Sequence, residues 1–301
     1  MPKLIHAEEK MTETPAKDEE CSKKCETCDV ECEERTAPSA PPEKAKIRAK
    51  HVILVLSGKG GVGKSTVAVN LAYALSSHGY QVGILDLDIH GPNIPIMLGI
   101  QDHRLQAIGN LIEPVKITGN LSAMSMAFLL PDVSTPVIWR GPMKMAAIRQ
   151  FLEEVDWGDL DFLVVDLPPG TGDEALSIAQ LAPNVSGAVI VTTPQDVATI
   201  DSRKAVKFVE MLGIRVLGII ENMSGMVCPH CGKEIDLFGK GGGEKAAEEV
   251  GVPFLGAIPI DPEMRKAGDE GRPFIIKRGE KNPTWDAVDR VMEALVKEVV
   301  S

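Results

Sequence analysis

The chain has 301 residues, 44% of them apolar but only 4% aromatic, and a formal net charge of −11. That length holds one large α/β domain with an aliphatic core and an appendage, and the acidic balance argues against nucleic-acid binding, which needs a basic face. No apolar run approaches the roughly 20 residues of a membrane span, and the charged N-terminus lacks a signal-peptide core, so a cytoplasmic protein with no membrane or nucleic-acid partner is expected.

Residues 1–46 are rich in Glu, Lys, Pro and Thr and lack apolar periodicity. Such a segment cannot bury enough surface to offset its ordering entropy, so a flexible tail over 1–46 and a folded domain over 47–301 are expected, with 38–42 as linker. All six cysteines fall in two tight clusters. In a reducing compartment short spacings favour metal over disulfides. The tail holds Cys21, Cys25, Cys28 and Cys32, four thiols within twelve residues. They could complete a zinc site or hold a 4Fe–4S cluster.

From residue 51 short apolar runs alternate with helical patterns. Strands are expected at 52–57, 81–86, 121–126, 162–166, 187–192, 215–220 and 254–258. Helices are expected at 64–78, 142–154, 173–182, 199–212, 241–250, 262–270 and 284–299. This alternation predicts a buried, mostly parallel sheet with helices on both faces, whose ligands bind beyond the carboxyl ends of the strands. The first strand empties into Gly58, Lys59, Gly60, Gly61, Val62, Gly63, Lys64, Ser65 and Thr66. A glycine-rich loop followed by Lys-Ser is the phosphate-loop pattern. Its glycines let backbone N–H groups approach phosphate oxygens, and the helix that follows points its positive end at them. Lys64 can reach the β- and γ-phosphates of ATP, and Ser65 can coordinate Mg²⁺. Lys59 is a second lysine that the simple pattern does not require.

The second strand ends in Asp86-Leu87-Asp88. In extended chain both acids project to one side, where two carboxylates can serve Mg²⁺ and an attacking water separately. His90 follows, with no ligand partner at motif spacing. The run Phe-Leu-Val-Val-Asp ends in Asp166, the Walker B form, which would hold Mg²⁺ through water. The stiff loop 168–172 suits γ-phosphate sensing, and Asp173 is a good N-cap for the next helix. A later strand ends Glu221-Asn222-Met223, where the Asn222 amide suits a purine edge.

Cys228-Pro-His-Cys231 comes next. Two thiols can grip one edge of a metal but cannot fill four positions. Three explanations compete: a redox dithiol, a zinc site completed elsewhere in the same chain, and a homodimer that brings two pairs together. The redox reading lacks its usual helical context. The segment 284–299 has an apolar stripe and an acidic polar face, which reads as a packing helix and not a lipid anchor.

The loop Gly-Lys-Gly-Gly-Val-Gly-Lys-Ser-Thr resembles the deviant Walker A loop of the MinD/ParA group of ATPases. Together with Asp-Leu-Asp-Ile-His-Gly-Pro-Asn, Asp-Leu-Pro-Pro-Gly-Thr-Gly-Asp, Glu-Asn-Met, Cys-Pro-His-Cys and Phe-Gly-Lys-Gly-Gly-Gly, in that order, it resembles the Mrp/ApbC family of P-loop iron–sulfur carrier ATPases over about residues 45–300. The resemblance implies a three-layer P-loop NTPase fold and a homodimer whose Lys59 reaches the partner's nucleotide. It casts Asp88 as the residue that orients water and Asp86 as an Mg²⁺-water ligand or its support. Asn222 becomes the adenine contact, with Pro259 and the backbone of 260–261 lining the same pocket. Cys228 and Cys231 would bridge a 4Fe–4S cluster at the dimer interface for delivery to apo iron–sulfur proteins. The cysteine tail resembles relatives that carry a second cluster, with a tighter spacing here. The rival from another class is a nucleotide-switched positioning or partition ATPase with structural zinc, which shares the ATPase core but has no need of the Cys-x-x-Cys pair.

Overall fold

β-type and helical segments alternate along nearly the whole described chain. The computed structural model describes residues 43–89, 91–109, 111–130, 141–228, 230–272, 274 and 282–300. In order they form β1 (Ala49–Leu56), α1 (Lys64–Ser77), β2 (Val82–Asp86), α2 (Ile94–Met97), β3 (Ala107–Ile108), β4 (Leu111–Ile112), β5 (Val115–Lys116), β6 (Leu121–Ser125) and α3 (Gly141–Glu153). There follow β7 (Leu160–Asp166), α4 (Asp173–Leu181), β8 (Val185–Thr192), α5 (Asp196–Met211), β9 (Val216–Val227), β10 (Glu234–Ile235), α6 (Gly242–Val250), β11 (Phe254–Ile260), α7 (Pro262–Asp269) and α8 (Pro283–Val300).

The main sheet runs β10-β9-β8-β1-β7-β2-β6-β5, with β11 also paired to β9. Its pairings are parallel except β5 with β6 and β10 with β9. β1 explains the layering. Val52, Leu54 and Leu56 face a core half built with α3, α4, α5 and α6. Ile53 and Val55 face the other half, built with α1 and α8. A strand buried on both faces must be apolar at every position, which is how β1 reads. α8 fills its expected packing role: Val288, Val291, Met292 and Leu295 are buried in the second core half. Lys44 docks on the carbonyls of Ala179 and Ala182 at 2.7 and 3.0 Å, and Ala45 and Ile47 join the first core half.

Three expectations need correction. The strand expected to end by residue 220 continues as β9 to Val227, because β11 pairs along it (Ile258 with Asn222, Ile260 with Met226) and β10 returns against its tip. Asp173 does not cap α4. Gly172 occupies the cap position and Asp173 is the first helical residue, where its acid faces the helix dipole. Asp86 and Asp88 are not two positions of one strand: β2 ends at Asp86, and the Asp88 N–H bonds back to the Asp86 carboxylate. The elements β3, β4, β5, β10 and α2 have two to four residues each, too short to leave a periodic signal. Cys21, Cys25, Cys28, Cys32 and His90 lie outside the described residues.

Candidate functional site

Strand register assembles the first part of the site. β6, β2 and β7 are in parallel register with Ser125 beside Asp86 and Asp86 beside Asp166. Three polar residues therefore stand in a row at the carboxyl end of the sheet. β1 runs next to β7 and delivers the glycine loop over this row. α1 then begins at Lys64 behind Gly63, which is left-handed (φ 78°) and supplies no side-chain cap. The first N–H groups of α1 are thus available to an anion.

Lys64 and Ser65 both bond to Asp166. The ammonium lies 2.5 Å from Oδ1, and the Ser65 hydroxyl donates to Oδ2 at 2.6 Å. Asp166 is wholly buried and Lys64 nearly so. Asp86 is wholly buried too, and its carboxylate accepts from the Ser125 hydroxyl (2.9 Å) and the Asp88 N–H (3.0 Å). Asp88 in turn accepts the N–H of Gly91 at 3.0 Å. Burial, then the charge of Asp166, pushes the Asp86 carboxyl well above the ordinary range. Burial also raises Asp166, against the opposing pull of Lys64. Two dry carboxyls beside one ammonium are short of positive charge, and the donor set is hard oxygen. These residues fit Mg²⁺, with Ser65 and Asp166 as the groups that would hold it. Lys59 is half-buried and has no ion pair among the described residues.

The second part is a cavity of about 520 Å³ that opens beside Gly63 and Thr66 and is also lined by Asn222, Met223, Phe238 and Pro259. That size suits a nucleoside. The Asn222 amide donates to the Val62 carbonyl at 2.9 Å, which fixes the side chain and leaves its second N–H and Oδ1, a donor and an acceptor, to meet a base edge. Asn70, one turn below Thr66, lines the same cavity. Its amide donates to the Thr66 carbonyl at 2.8 Å, while its buried Oδ1 has no partner among the described residues. A ligand hydroxyl or amine would satisfy that orphan.

The third part begins at Cys228, the first residue past the end of β9 and six positions beyond Asn222. Cys228 N–H donates to the Lys233 carbonyl and Gly232 N–H to the Cys228 carbonyl, both at 2.9 Å, which closes a tight hairpin into β10. The backbone N–H groups of His230 and Cys231, and the Cys231 thiol, point at the Cys228 sulfur and hold its thiol below the ordinary range. This is a knuckle suited to thiolate–metal bonding. Cys228 is half-buried and Cys231 exposed, both as free thiols. No group of three or more His, Cys, Asp or Glu that could hold a metal occurs among the described residues. Within the described chain, the pair therefore offers one edge of a site and no more.

Glu221 joins β9 to the start of α6; in the sequence it is part of the Glu-Asn-Met motif, with no role assigned to it. It is wholly buried, and its carboxylate accepts from the N–H groups of Gly243 (2.6 Å) and Gly241 (3.0 Å) and from the Ser224 hydroxyl (2.5 Å). It thereby caps α6 from outside that helix. Each glycine of the run 241–243 has its own cause. Gly241 is left-handed, a Cβ on Gly242 would strike the Pro194 carbonyl, and one on Gly243 would stand 2.9 Å from Glu221 Cβ. Ser125 and Asn70 were unmarked, since a lone Ser or Asn in an apolar run gives no motif.

A family profile described as "ParA: NUBPL iron-transfer P-loop NTPase" matches residues 48–296. The iron-sulfur cluster carrier protein of Methanocaldococcus jannaschii is 53% identical over 266 residues, which span 85% of this chain and 91% of that protein. The cytosolic Fe-S cluster assembly factor NUBP2 of Gallus gallus is 47% identical over 82% of this chain and 92% of its own length. Among solved structures, the nucleotide-binding protein from Archaeoglobus fulgidus in complex with ADP is 39% identical, with a TM-score of 0.66 over 79% of this chain and 91% of that one. The MinD cell division protein of Aquifex aeolicus, at 22% identity and a TM-score of 0.57 over 82% and 97% of the two chains, shares the fold. Among the described residues no helix is long and apolar enough to cross a membrane.

Proposed function

We propose that this chain, which belongs to the NUBPL iron-transfer P-loop NTPase family, works as a pair of copies that bind and hydrolyse ATP and carry a 4Fe–4S cluster between them for delivery to apo-proteins. The observation that carries the reading is the two-thiol knuckle. Cys228 and Cys231 stand just past the end of a strand, and the described residues hold no group of three or more His, Cys, Asp or Glu side chains placed to hold a metal. A second copy would supply the other two thiolates and complete a four-thiolate set. The names borne by the relatives support an iron–sulfur role, and the same strand lines the cavity beside the phosphate loop.

ATP enters with its phosphates on the bare N-terminus of α1 and its base at Asn222 and Pro259. Lys64 leaves Asp166 for the β- and γ-phosphates, which frees the Asp166 carboxylate and the Ser65 hydroxyl. Mg²⁺, when bound, offsets the phosphate charge. The loop N–H groups and Thr66 hold the phosphates. Asp86, fixed by Ser125, holds the Asp88 backbone in place, and Asp88 orients the attacking water. Lys59 of each copy supplies positive charge at the other copy's phosphates. Cys21, Cys25, Cys28 and Cys32 bind a second metal group.

The test is transfer. Anaerobically loaded protein, mixed with an apo 4Fe–4S enzyme, should restore that enzyme's activity. A Cys228→Ser/Cys231→Ser variant should keep its ATP binding and restore nothing. Equal restoration by the variant, or ATP-dependent co-sedimentation with lipid or DNA in place of transfer, would overturn the reading.

A further inference from the structure

We propose that Phe238 is a wall of the purine site and the side chain through which a bound nucleotide reaches the cysteine hairpin. The inference rests on the nucleotide reading of the cavity and adds a route from it to the thiols.

Phe238 lies three residues past β10, in the segment that joins the cysteine hairpin to α6. It is 41% exposed and belongs to neither half of the apolar core. An aromatic ring left so open needs a reason, and its position supplies one. It lines the 520 Å³ cavity together with Gly63, Thr66, Asn222 and Pro259. The pocket therefore has a fixed polar group for a base edge, Asn222, and a flat apolar face for a base ring, Phe238. Base-on-aromatic stacking accepts any purine face, while the edge group selects among purines.

The backbone around Phe238 is held on both sides. Asp236 accepts the Gly239 N–H at 2.6 Å, and Glu221 accepts the Gly241 and Gly243 N–H groups. Between these anchors Lys240 reaches back to Glu234 of β10 at 2.5 Å. Its stem packs over Gly225 of β9, where φ is +67° and a Cβ would collide with it. The segment that carries Phe238 is thus bonded to both strands of the cysteine hairpin. A base that stacks on Phe238 restrains this segment, and the Lys240 contacts pass the restraint to β9 and β10 within a few residues of Cys228 and Cys231. Linkage makes the effect reciprocal: whatever the thiols bind alters nucleotide affinity by the same factor.

The experiment uses the full chain with its four tail cysteines changed to Ser, and compares the otherwise native sequence with Phe238→Ala and Phe238→Trp. ATP affinity is measured by calorimetry, and the alkylation rates of Cys228 and Cys231 by iodoacetamide and mass spectrometry, with and without ATP. Phe238→Ala should weaken ATP by about 5- to 150-fold, the range of one lost base–aromatic stack. ATP should slow alkylation at least about twofold in the parent, as a minimal linked effect, and this response should vanish in Phe238→Ala. Phe238→Trp should keep both behaviours. The proposal is overturned if Phe238→Ala binds ATP as tightly as the parent, or if ATP leaves parental alkylation unchanged. A parent that binds no ATP at all would instead remove the nucleotide reading beneath it.

Discussion

Glu221→Ala should be among the most damaging single substitutions outside the apolar core. The wild-type carboxylate satisfies two backbone N–H groups at the start of α6 and the Ser224 hydroxyl, with no exposure to solvent. Alanine leaves the Gly243 N–H without an acceptor in a buried position, at a cost of about 1–3 kcal/mol. Gly241 is half-buried, so water recovers part of its bond and the loss there is about 0.5–1.5 kcal/mol. Removal of negative charge from a helix N-terminus adds about 0.3–1 kcal/mol. The sum is roughly 3–4 kcal/mol, a large share of the 5–15 kcal/mol typical of a folded domain. Urea unfolding followed by circular dichroism reads it directly. With a slope of about 3 kcal/mol/M, the midpoint should fall by about 1 M. Glu221→Gln should lose about half as much, because one amide oxygen still accepts while its NH₂ faces a donor. A midpoint shift below about 0.3 M for alanine, on that same slope, would refute the clamp.

Lys59→Ala should lower ATP turnover by about 10³–10⁵, the contribution of a cation supplied in trans, with nucleotide binding retained. Asp88→Ala should likewise abolish most turnover, and full activity in either variant would remove that residue's role. Beyond its bond to Val62, Asn222 offers one N–H and Oδ1, the donor–acceptor pair that matches N7 and the exocyclic amine of adenine, so ATP should bind more tightly than GTP; equal affinities in a competition assay would contradict this. Three donors hold the Cys228 thiol below the ordinary thiol range. The pH profile of Cys228 alkylation should have its midpoint below that of free cysteine measured alongside and shift upward in Cys231→Ala, and a wild-type midpoint at or above that of free cysteine would sink the knuckle assignment.

The parts of this protein that are legible in sequence are those whose cause is local. A two-faced apolar strand, a glycine loop and Lys64-Ser65 specify the start of the nucleotide site within sixteen residues, 51–66. The seven main strands and the long helices follow from periodicity for the same reason. What stayed hidden depends on pairing between distant segments. Ser125 reaches Asp86 because β6 and β2 share a register, a relation across 39 residues. Glu221 meets Gly243 through a fold-back of 22 residues. The extent of β9 past residue 220 has no local cause: Met223 and Gly225 take positive φ within it. Pairing with β11 carries the strand through regardless. Phe238 was quoted within a motif yet had no role until the cavity showed what it lines.

The central claim is that two copies of this chain each contribute Cys228 and Cys231 to one iron–sulfur cluster. The direct measurement is iron and acid-labile sulfide content after anaerobic reconstitution, alongside molar mass by light scattering, with residues 1–42 present and absent, since Lys44 and Ala45 belong to the folded domain. Without the tail, the account predicts about four iron and four sulfide per dimer, lost together with cluster absorption in Cys228→Ser. A monomer that retains stoichiometric zinc and no sulfide would contradict it.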